Sequence, residues 1–279
     1  MKYGVIAHCT EYTMRVDALA RAVEERGFES LFVPEHTHIP VARRSPFPLG
    51  GELPREYYHD SDPFITLMAA AMVTTRLRLG TGISLVVEHD PIVLAKTVAT
   101  LDLLSNGRVI LGVGAGWNEE EMSNHGTPPR RRWKVLRERI EAMRRMWEAE
   151  QAEYHGEFVN FDPIFSWPKP VQRPLPVLVG AHGYRGLRRV VRYANGWMPV
   201  EAAVRDAKKE IQNLRNLAEQ HGRDPDSFDV TMTLARAEER SLAVNREAGV
   251  TRVLFALPVG EADVIVPRLD ALARLIERT

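Results

Sequence analysis

The sequence predicts an α/β protein, a (β/α)8 TIM barrel with insertion loops after strand 2 and before strand 5. Short segments rich in Val, Ile, Leu and Phe alternate eight times with segments whose apolar residues recur every three or four positions. The length of 279 residues and the 44% hydrophobic composition suit a barrel of this kind, which needs about 250 residues. No linker or low-complexity stretch interrupts this order, so we expect one barrel domain over residues 1–279.

The first two strands are predicted over residues 3–7 and 28–34. Between them, the apolar residues from 16 to 23 are spaced three and four apart, which predicts a helix with one buried face. The second strand ends at Glu35 and His36, so ionisable side chains follow it directly.

The segment 36–61 interrupts this rhythm, because its prolines and glycines disfavour regular structure. It also carries arginine and tyrosine side chains, and it leaves the same strand end as His36. Long loops inside compact domains commonly cover or build binding sites. We therefore predict a lid or substrate loop; the alternative is a disordered surface insertion.

The rhythm resumes with helices that begin at Asp62-Pro63 and Asp90-Pro91, where a capping residue precedes proline at the first helical position. Residues 77–87, between these helix starts, are predicted as the third strand. The fourth strand covers residues 109–113, and a helical segment that starts at residues 119–121 and extends to Trp147 follows it.

Residues 150–175 are predicted as an insertion that could add a small hairpin. The second half of the chain then repeats the strand and helix alternation to its end. Its strands are predicted over residues 175–180, 196–200, 228–234 and 252–257, and its helices include residues 187–194, 211–217, 236–248 and 269–276.

Composition narrows the classes of function. Lysine plus arginine equals aspartate plus glutamate, at 37 each, so no overall charge would recruit nucleic acid or an anionic membrane. Cys9 is the one cysteine, which excludes an intrachain disulfide and a site built from several thiolates. No apolar run approaches the roughly 20 residues of a membrane span. We expect a cytoplasmic protein that acts on small molecules.

The functional surface of a (β/α)8 barrel lies at the carboxyl ends of its strands. Glycines occur near these ends in the third, fourth and fifth strands, which predicts room for a flat ligand that carries a phosphate. The segment Gly180-Ala181-His182-Gly183-Tyr184 leads into a helix, whose free N–H groups suit a phosphate. Tight barrel packing is the alternative explanation of these glycines. A dinucleotide-binding loop at Gly112-x-Gly114-x-Gly116 is disfavoured, because Glu119 occupies the position of the third glycine of that fingerprint.

His36 is the candidate for proton transfer, since it follows a strand end next to Glu35 and its pKa can lie near neutrality. A purely structural, hydrogen-bonded histidine is one alternative. A metal site that starts with His36 and His38, as in barrel hydrolases, is another, and it would need further ligands at other strand ends.

Several motifs occur in order along nearly the whole chain. They are Gly112-Val-Gly-Ala-Gly-Trp117, Arg137-x-x-x-Glu141, Tyr154-His-Gly-Glu-Phe158, Pro168-x-Pro170-x-Gln172-x-Pro174-x-Pro176 and Asn195-Gly196-Trp197. Together they resemble the bacterial luciferase-like superfamily. Two further runs, Val33-Pro-Glu-His-Thr-His-Ile-Pro40 and Gly180-Ala-His182, are most similar to its branch that uses the deazaflavin coenzyme F420 rather than FMN.

The resemblance implies a homodimeric oxidoreductase that transfers hydride to or from a small organic substrate through F420, with an FMN-dependent monooxygenase as the alternative. It implies His36 beside the reacting ring carbon, and Glu35 is predicted as its catalytic neighbour. Where the glucose-6-phosphate dehydrogenases of the superfamily carry an acidic residue, this chain has Trp117, which argues against sugar phosphates. A bulge with a non-prolyl cis peptide is implied at Gly82-Ile83. The cofactor-binding residues are predicted to be Gly82, Ile83, Ser84, Gly114, Ala115, Gly116, Trp117, Gly180, Ala181, His182, Gly183 and Tyr184.

Overall fold

The computed structural model describes residues 1–279, in which strands and helices alternate. The strands are β1 (Lys2–Ile6), β2 (Ser30–Val33), β3 (Arg78–Thr81), β4 (Val109–Val113), β5 (Gln151–His155), β6 (Asn160–Phe165), β7 (Val177–Val179), β8 (Gly196–Trp197), β9 (Asp229–Thr233) and β10 (Arg252–Ala256). The helices are α1 (Val16–Glu25), α2 (Pro63–Ala71), α3 (Pro91–Leu104), α4 (Glu119–Asn124), α5 (Arg132–Glu148), α6 (Gly183–Tyr193), α7 (Ala207–Gln220), α8 (Glu239–Ala248) and α9 (Ala262–Glu277).

Eight parallel strands close into a barrel in the order β1-β10-β9-β8-β7-β4-β3-β2. Helices connect consecutive barrel strands, and this confirms the predicted (β/α)8 fold. Strands β5 and β6 lie outside the barrel and pair with each other in antiparallel fashion, so the insertion before the fifth barrel strand does add a hairpin.

The predicted third strand is too long. Strand β3 ends at Thr81, whereas the sequence predicted strand over residues 77–87. The chain then bulges at Gly82-Ile83, where the peptide bond is cis, and returns to the barrel at Ser84, whose N–H donates to the carbonyl of Gly112 (2.7 Å). Val86–Glu88 form a single 3-10 turn whose residues are nonetheless buried. An apolar run signals burial in either conformation, so composition alone could not place the end of the strand.

Two helix starts behave as the sequence predicts. The carboxylate of Asp62 accepts a hydrogen bond from the N–H of Ile65 (2.8 Å) at the start of α2. Asp90 accepts from the N–H groups of Ile92 and Val93 (both 2.9 Å) at the start of α3. None of the helices has the length and apolar character that crossing a membrane requires.

The inside of the barrel is closed at the amino ends of the strands. The guanidinium of Arg252, only 2% exposed, donates to Glu29 and to Asp229, each at 2.8 Å. Burial of the two carboxyl groups opposes their charge, but Arg252 lowers the pKa of both below their ordinary values. Between this group of three charged residues and the carboxyl ends, the barrel is filled by apolar side chains, which are those of Ile6, Phe32, Ile110, Leu178, Met198 and Leu254. The three charged residues and this apolar layer therefore close the barrel beneath the carboxyl ends of its strands.

Candidate active site

A cavity of about 370 Å³ lies at the carboxyl ends of the strands. Of the predicted site residues, those that line it are Glu35, His36, Gly82, Ile83, Ala115, Gly116, Trp117, Gly180 and His182. Those that do not line it are Ser84, Gly114, Ala181, Gly183 and Tyr184. The structure thus brings segments from strands β2, β3, β4 and β7 together around one space, as the positions of these residues along the chain suggest.

The glycines near this cavity make room for the bulge after β3 rather than for a ligand directly. A Cβ atom built on Gly114 would lie 1.9 Å from Cδ1 of Ile83, and one built on Gly180 would lie 3.2 Å from its Cγ2. A Cβ on Gly112 would lie 2.1 Å from the carbonyl oxygen of Thr81. The expectation that bare backbone faces the ligand is wrong at Gly114, because Ile83 occupies that space. Ile83 itself then forms part of the cavity wall.

His36 follows β2 and is held by a buried carboxylate. Its Nδ1 lies 2.7 Å from Oε2 of Glu121, whose side chain is completely buried at the start of α4. The side chain of Asn118 caps this helix by accepting from the N–H of Glu121 (3.4 Å). Because a carboxylate can only accept, Nδ1 carries the proton in this pair. Nε2 is then free for exchange of a proton with a ligand in the cavity.

The partner of His36 was missed in the sequence. Glu121 lies in the run Glu119–Asn124, where acidic residues in the first turn of a helix are expected for their interaction with the helix dipole. Its contact with His36 spans 85 positions, and no local pattern indicates a contact of that range.

Glu35 binds the residues that follow the bulge. Its carboxylate accepts hydrogen bonds from the hydroxyl of Ser84 (2.7 Å) and the N–H of Leu85 (2.5 Å). Its other oxygen lies 2.7 Å from Nε2 of His89. Burial opposes a charge on His89, but this hydrogen bond and the charge of Glu35 raise the pKa of His89. The predicted catalytic role of Glu35 stays a prediction, and its contacts are those of a residue that supports Ile83.

A second histidine faces the cavity from β1. Nδ1 of His8 lies 2.8 Å from Oδ1 of Asp60, whose side chain is 2% exposed. The ring of Tyr57 lies between the two histidines, with centroids 4.9 Å from His8 and 5.5 Å from His36. Burial and the charge of Asp60 raise the pKa of Tyr57 to about 12, so its hydroxyl keeps its proton at neutral pH. His8 follows the first predicted strand, and this position in the sequence is the signal that could have identified it as a site residue.

The loop of residues 36–61 covers the cavity. Phe47, Leu49 and Tyr57 line it from above, and the rings of Phe47 and Trp117 lie 6.0 Å apart. One part of the loop is attached to α4, where the hydroxyl of Ser45 donates to Glu120 (2.6 Å). The other end is attached through Asp60 to His8, which follows β1. The loop therefore forms part of the cavity wall, and its role as a lid or substrate loop stays a prediction.

The start of α6 is open towards the same side of the barrel. No side chain caps the helix, so the first N–H groups remain available for a ligand. Gly183 has φ of +64° and no neighbour within 4 Å of a Cβ built there. Burial lowers the pKa of His182, which precedes the helix and lines the cavity. These groups fit a phosphate attached to a ring in the cavity.

The metal-site alternative finds little support among the side chains. Nδ1 of His36 faces Glu121, whereas His38 contacts the hydroxyl of Thr37 (2.9 Å) and the amide of Asn124 (2.8 Å). No group of three His, Cys, Asp or Glu side chains is placed to hold a metal ion.

Comparison with known proteins places this geometry in context. Residues 8–248 match the family model described as luciferase-like monooxygenase. An uncharacterized protein of Mycobacterium tuberculosis is 44% identical to this chain over 277 residues, which cover 98% of each protein. The F420-dependent hydroxymycolic acid dehydrogenase of the same species is 27% identical over 264 residues, which cover 93% of this chain and 68% of that protein.

Among solved structures, an F420-dependent secondary alcohol dehydrogenase in complex with an F420-acetone adduct is similar to this chain. The TM-score is 0.77 at 20% sequence identity, and the superposition covers 99% of both chains. At this identity the likeness shows a common fold.

Proposed function

Because this chain belongs to the luciferase-like monooxygenase family, we propose that it is an oxidoreductase that uses coenzyme F420 to transfer hydride to or from a small organic substrate. Bound F420 supplies the hydride chemistry, and the protein supplies binding, orientation and proton transfer. The observation that carries the proposal is the His36–Glu121 pair beside a cavity whose wall is formed by the bulge at Ile83.

The residues around the cavity fit a flat ring with a phosphate. Ile83 would support one face of the ring, and Ala115 and Gly116 would lie beside it. The N–H groups at the start of α6 would hold the phosphate. Of the predicted cofactor-binding residues, Ser84 and Gly114 would act through the bulge, because the first bonds Glu35 and the second leaves room for Ile83.

His36 would exchange the substrate proton. With Nδ1 committed to Glu121, the imidazole accepts a proton at Nε2 from a hydroxyl, and the carboxylate stabilises the imidazolium that forms. In the reverse direction the same nitrogen donates a proton to a carbonyl oxygen. The buried position of His36 and the loop above it exclude water from this step.

The substrate side of the cavity suggests an apolar or aromatic alcohol or carbonyl compound. Phe47, Leu49, Tyr57 and Trp117 line the space next to His36. No arginine or lysine lines the cavity, so a phosphorylated sugar would lack a cationic partner there.

Turnover with F420 tests the proposal. Purified protein with F420 should oxidise apolar secondary alcohols from a panel of such compounds, and deuterium on the carbinol carbon should slow the reaction. The FMN-dependent alternative rests on the family description as monooxygenases. Turnover with reduced FMN and oxygen, and none with F420, would favour that alternative and contradict our proposal.

We also propose that the protein acts as a cytoplasmic homodimer. Helices α2 and α3 pack against each other and carry apolar side chains on the surface. These are Ile65, Met72, Val93, Leu103 and Leu104, with exposures of 74%, 72%, 64%, 45% and 60%. Several large apolar side chains exposed on two neighbouring helices are typical of a surface that another chain covers.

A further inference from the structure

A second buried carboxyl group lies behind the His36–Glu121 pair. The side chain of Glu88, at the turn after β3, is only 1% exposed. Its Oε2 accepts a hydrogen bond from the hydroxyl of Thr37 (3.3 Å), and its Oε1 has no hydrogen-bond partner. Glu121 accepts from the N–H of the same Thr37 (3.0 Å). Thr37 therefore bridges the two carboxyl groups.

The same threonine connects Glu88 to the surface. Its hydroxyl oxygen lies 2.7 Å from Nε2 of His125, which follows α4 and is 30% exposed. Nε2 of His125 is also 3.8 Å from Oε2 of Glu88. The Glu88 and Glu121 carboxyl groups are also close enough to share a hydrogen bond when Glu88 is protonated. A series of polar contacts thus extends from His36 through Glu121, Glu88 and the Thr37 hydroxyl to His125, which is in contact with water.

The charges along this series keep a proton on Glu88 and leave His125 without one. Burial raises the pKa of Glu88 to about 9, and the negative charges of Glu121 and Glu35 add to the effect. Burial and the neighbouring His38 lower the pKa of His125, so this imidazole is neutral at neutral pH. Glu88 thus holds a proton next to a neutral acceptor. The charged or titratable groups that face the pair of Glu88 and His125 are Glu35, Glu121, His38, His89 and Arg139.

We propose that Glu121, Glu88 and His125 form a proton relay that connects His36 with solvent. In alcohol oxidation, hydride goes to the cofactor and the hydroxyl proton goes to Nε2 of His36. The Nδ1 proton passes to Glu121, and the proton of Glu88 passes to the Thr37 hydroxyl, which turns its own proton to His125 and from there to water; Glu121 then passes its new proton to Glu88. His36 is left with its proton on Nε2. After product release it loses that proton to water in the opened cavity and regains one at Nδ1 from Glu121 through the same series, which restores the starting state. One proton leaves for each proton accepted, and carbonyl reduction runs the series in reverse.

The direction of proton movement in the relay rests on the proposed function. The relay is needed because the site is covered. The side chain of His36 is 6% exposed in the protein, and a bound cofactor and substrate would cover it further. A proton taken from substrate would then have no exit through the cavity. Glu121, Glu88 and His125 do not contact the substrate. They are positioning residues that act through His36, because they set its protonation state.

The test separates hydride transfer from proton release. The variants are Glu88→Gln, which keeps the shape but cannot pass a proton, and His125→Phe, with the exposed Glu247→Gln as the matched control. In a single turnover with F420, hydride transfer should stay within about twofold of wild type. Proton release to a pH indicator and steady-state turnover should fall at least about tenfold in both variants. Added imidazole should restore proton release in His125→Phe.

Proton release that keeps pace with hydride transfer in both variants would overturn the relay. A measurement without cofactor tests the relay separately, so that its failure can be distinguished from failure of the proposed F420-dependent function. In wild type at pH 7, the infrared spectrum should show a protonated carboxyl group that Glu88→Gln removes. A wild-type spectrum without that band would overturn the relay, whether or not F420 reacts.

Stability gives a further readout of the same group. A carboxyl group with a raised pKa in the folded state contributes its full stability below its ordinary pKa of 4.5, and this contribution is lost as pH rises towards about 9. Wild type should therefore lose stability relative to Glu88→Gln between about pH 5 and pH 9. A difference that is constant across this range would contradict a protonated Glu88.

Discussion

Replacing His36 with alanine should lower kcat by about 10²- to 10⁴-fold, the range typical of a lost general acid or base. The affinity for the cofactor should change by less than about threefold. The reason is that the His36 imidazole is bonded to Glu121 at Nδ1, so its free nitrogen serves the substrate proton rather than the ring. Steady-state kinetics and cofactor titration of the same preparation measure the two effects.

His155→Ala is the matched control, because that histidine is exposed on the hairpin outside the barrel. It should react like wild type. If His36→Ala turns over at the wild-type rate, another group exchanges the proton, and His8 with its Asp60 partner would be the next candidate. If the loss lies in cofactor affinity instead, His36 binds the ring and the proposed role is wrong.

Replacing Gly114 with alanine should weaken cofactor binding by about tenfold or more, which is a loss of about 1.4 kcal/mol. The new Cβ would lie 1.9 Å from Cδ1 of Ile83, closer than any real contact, so that side chain must move. Because Ile83 lines the cavity, its displacement would take space from the ring. Equilibrium titration with F420 measures the effect.

The double variant Gly114→Ala with Ile83→Val separates this cause from general damage. Valine lacks the Cδ1 atom that the new methyl group would meet, and the next atom of Ile83, at 3.3 Å, needs to move by only a few tenths of an ångström. Binding should return to within about threefold of wild type in the double variant, and Ile83→Val alone should bind normally. Weak binding in both Gly114→Ala variants would mean that the glycine serves the backbone and not the position of Ile83.

The barrel was predictable because its signals are local. Helices α1 and α5 show their buried faces within 10 and 17 residues, and Asp-Pro pairs mark two helix starts. Local patterns indicate that a segment is buried, but they do not show whether a buried segment forms a strand or a turn. The residues Val86–Glu88 are buried in a turn rather than in a strand, and the extent of β3 was therefore predicted wrongly.

The site was predictable in position more than in detail. A strand end placed His36 at the cavity, whereas its partner Glu121 comes from a helix 85 positions later. The glycines predicted room for a flat ligand, with tight packing as the alternative, and at Gly114 it is Ile83 that occupies the space. Contacts of long range decide which side chains touch, and such contacts leave no periodic trace in one sequence.

Side-by-side equilibrium titration with F420 and FMN tests the central claim most directly. We expect saturable binding of one F420 per chain with a Kd in the micromolar range or below, near −8 kcal/mol, and binding of FMN at least about tenfold weaker. Tighter binding of FMN, or binding of neither compound, would contradict the account.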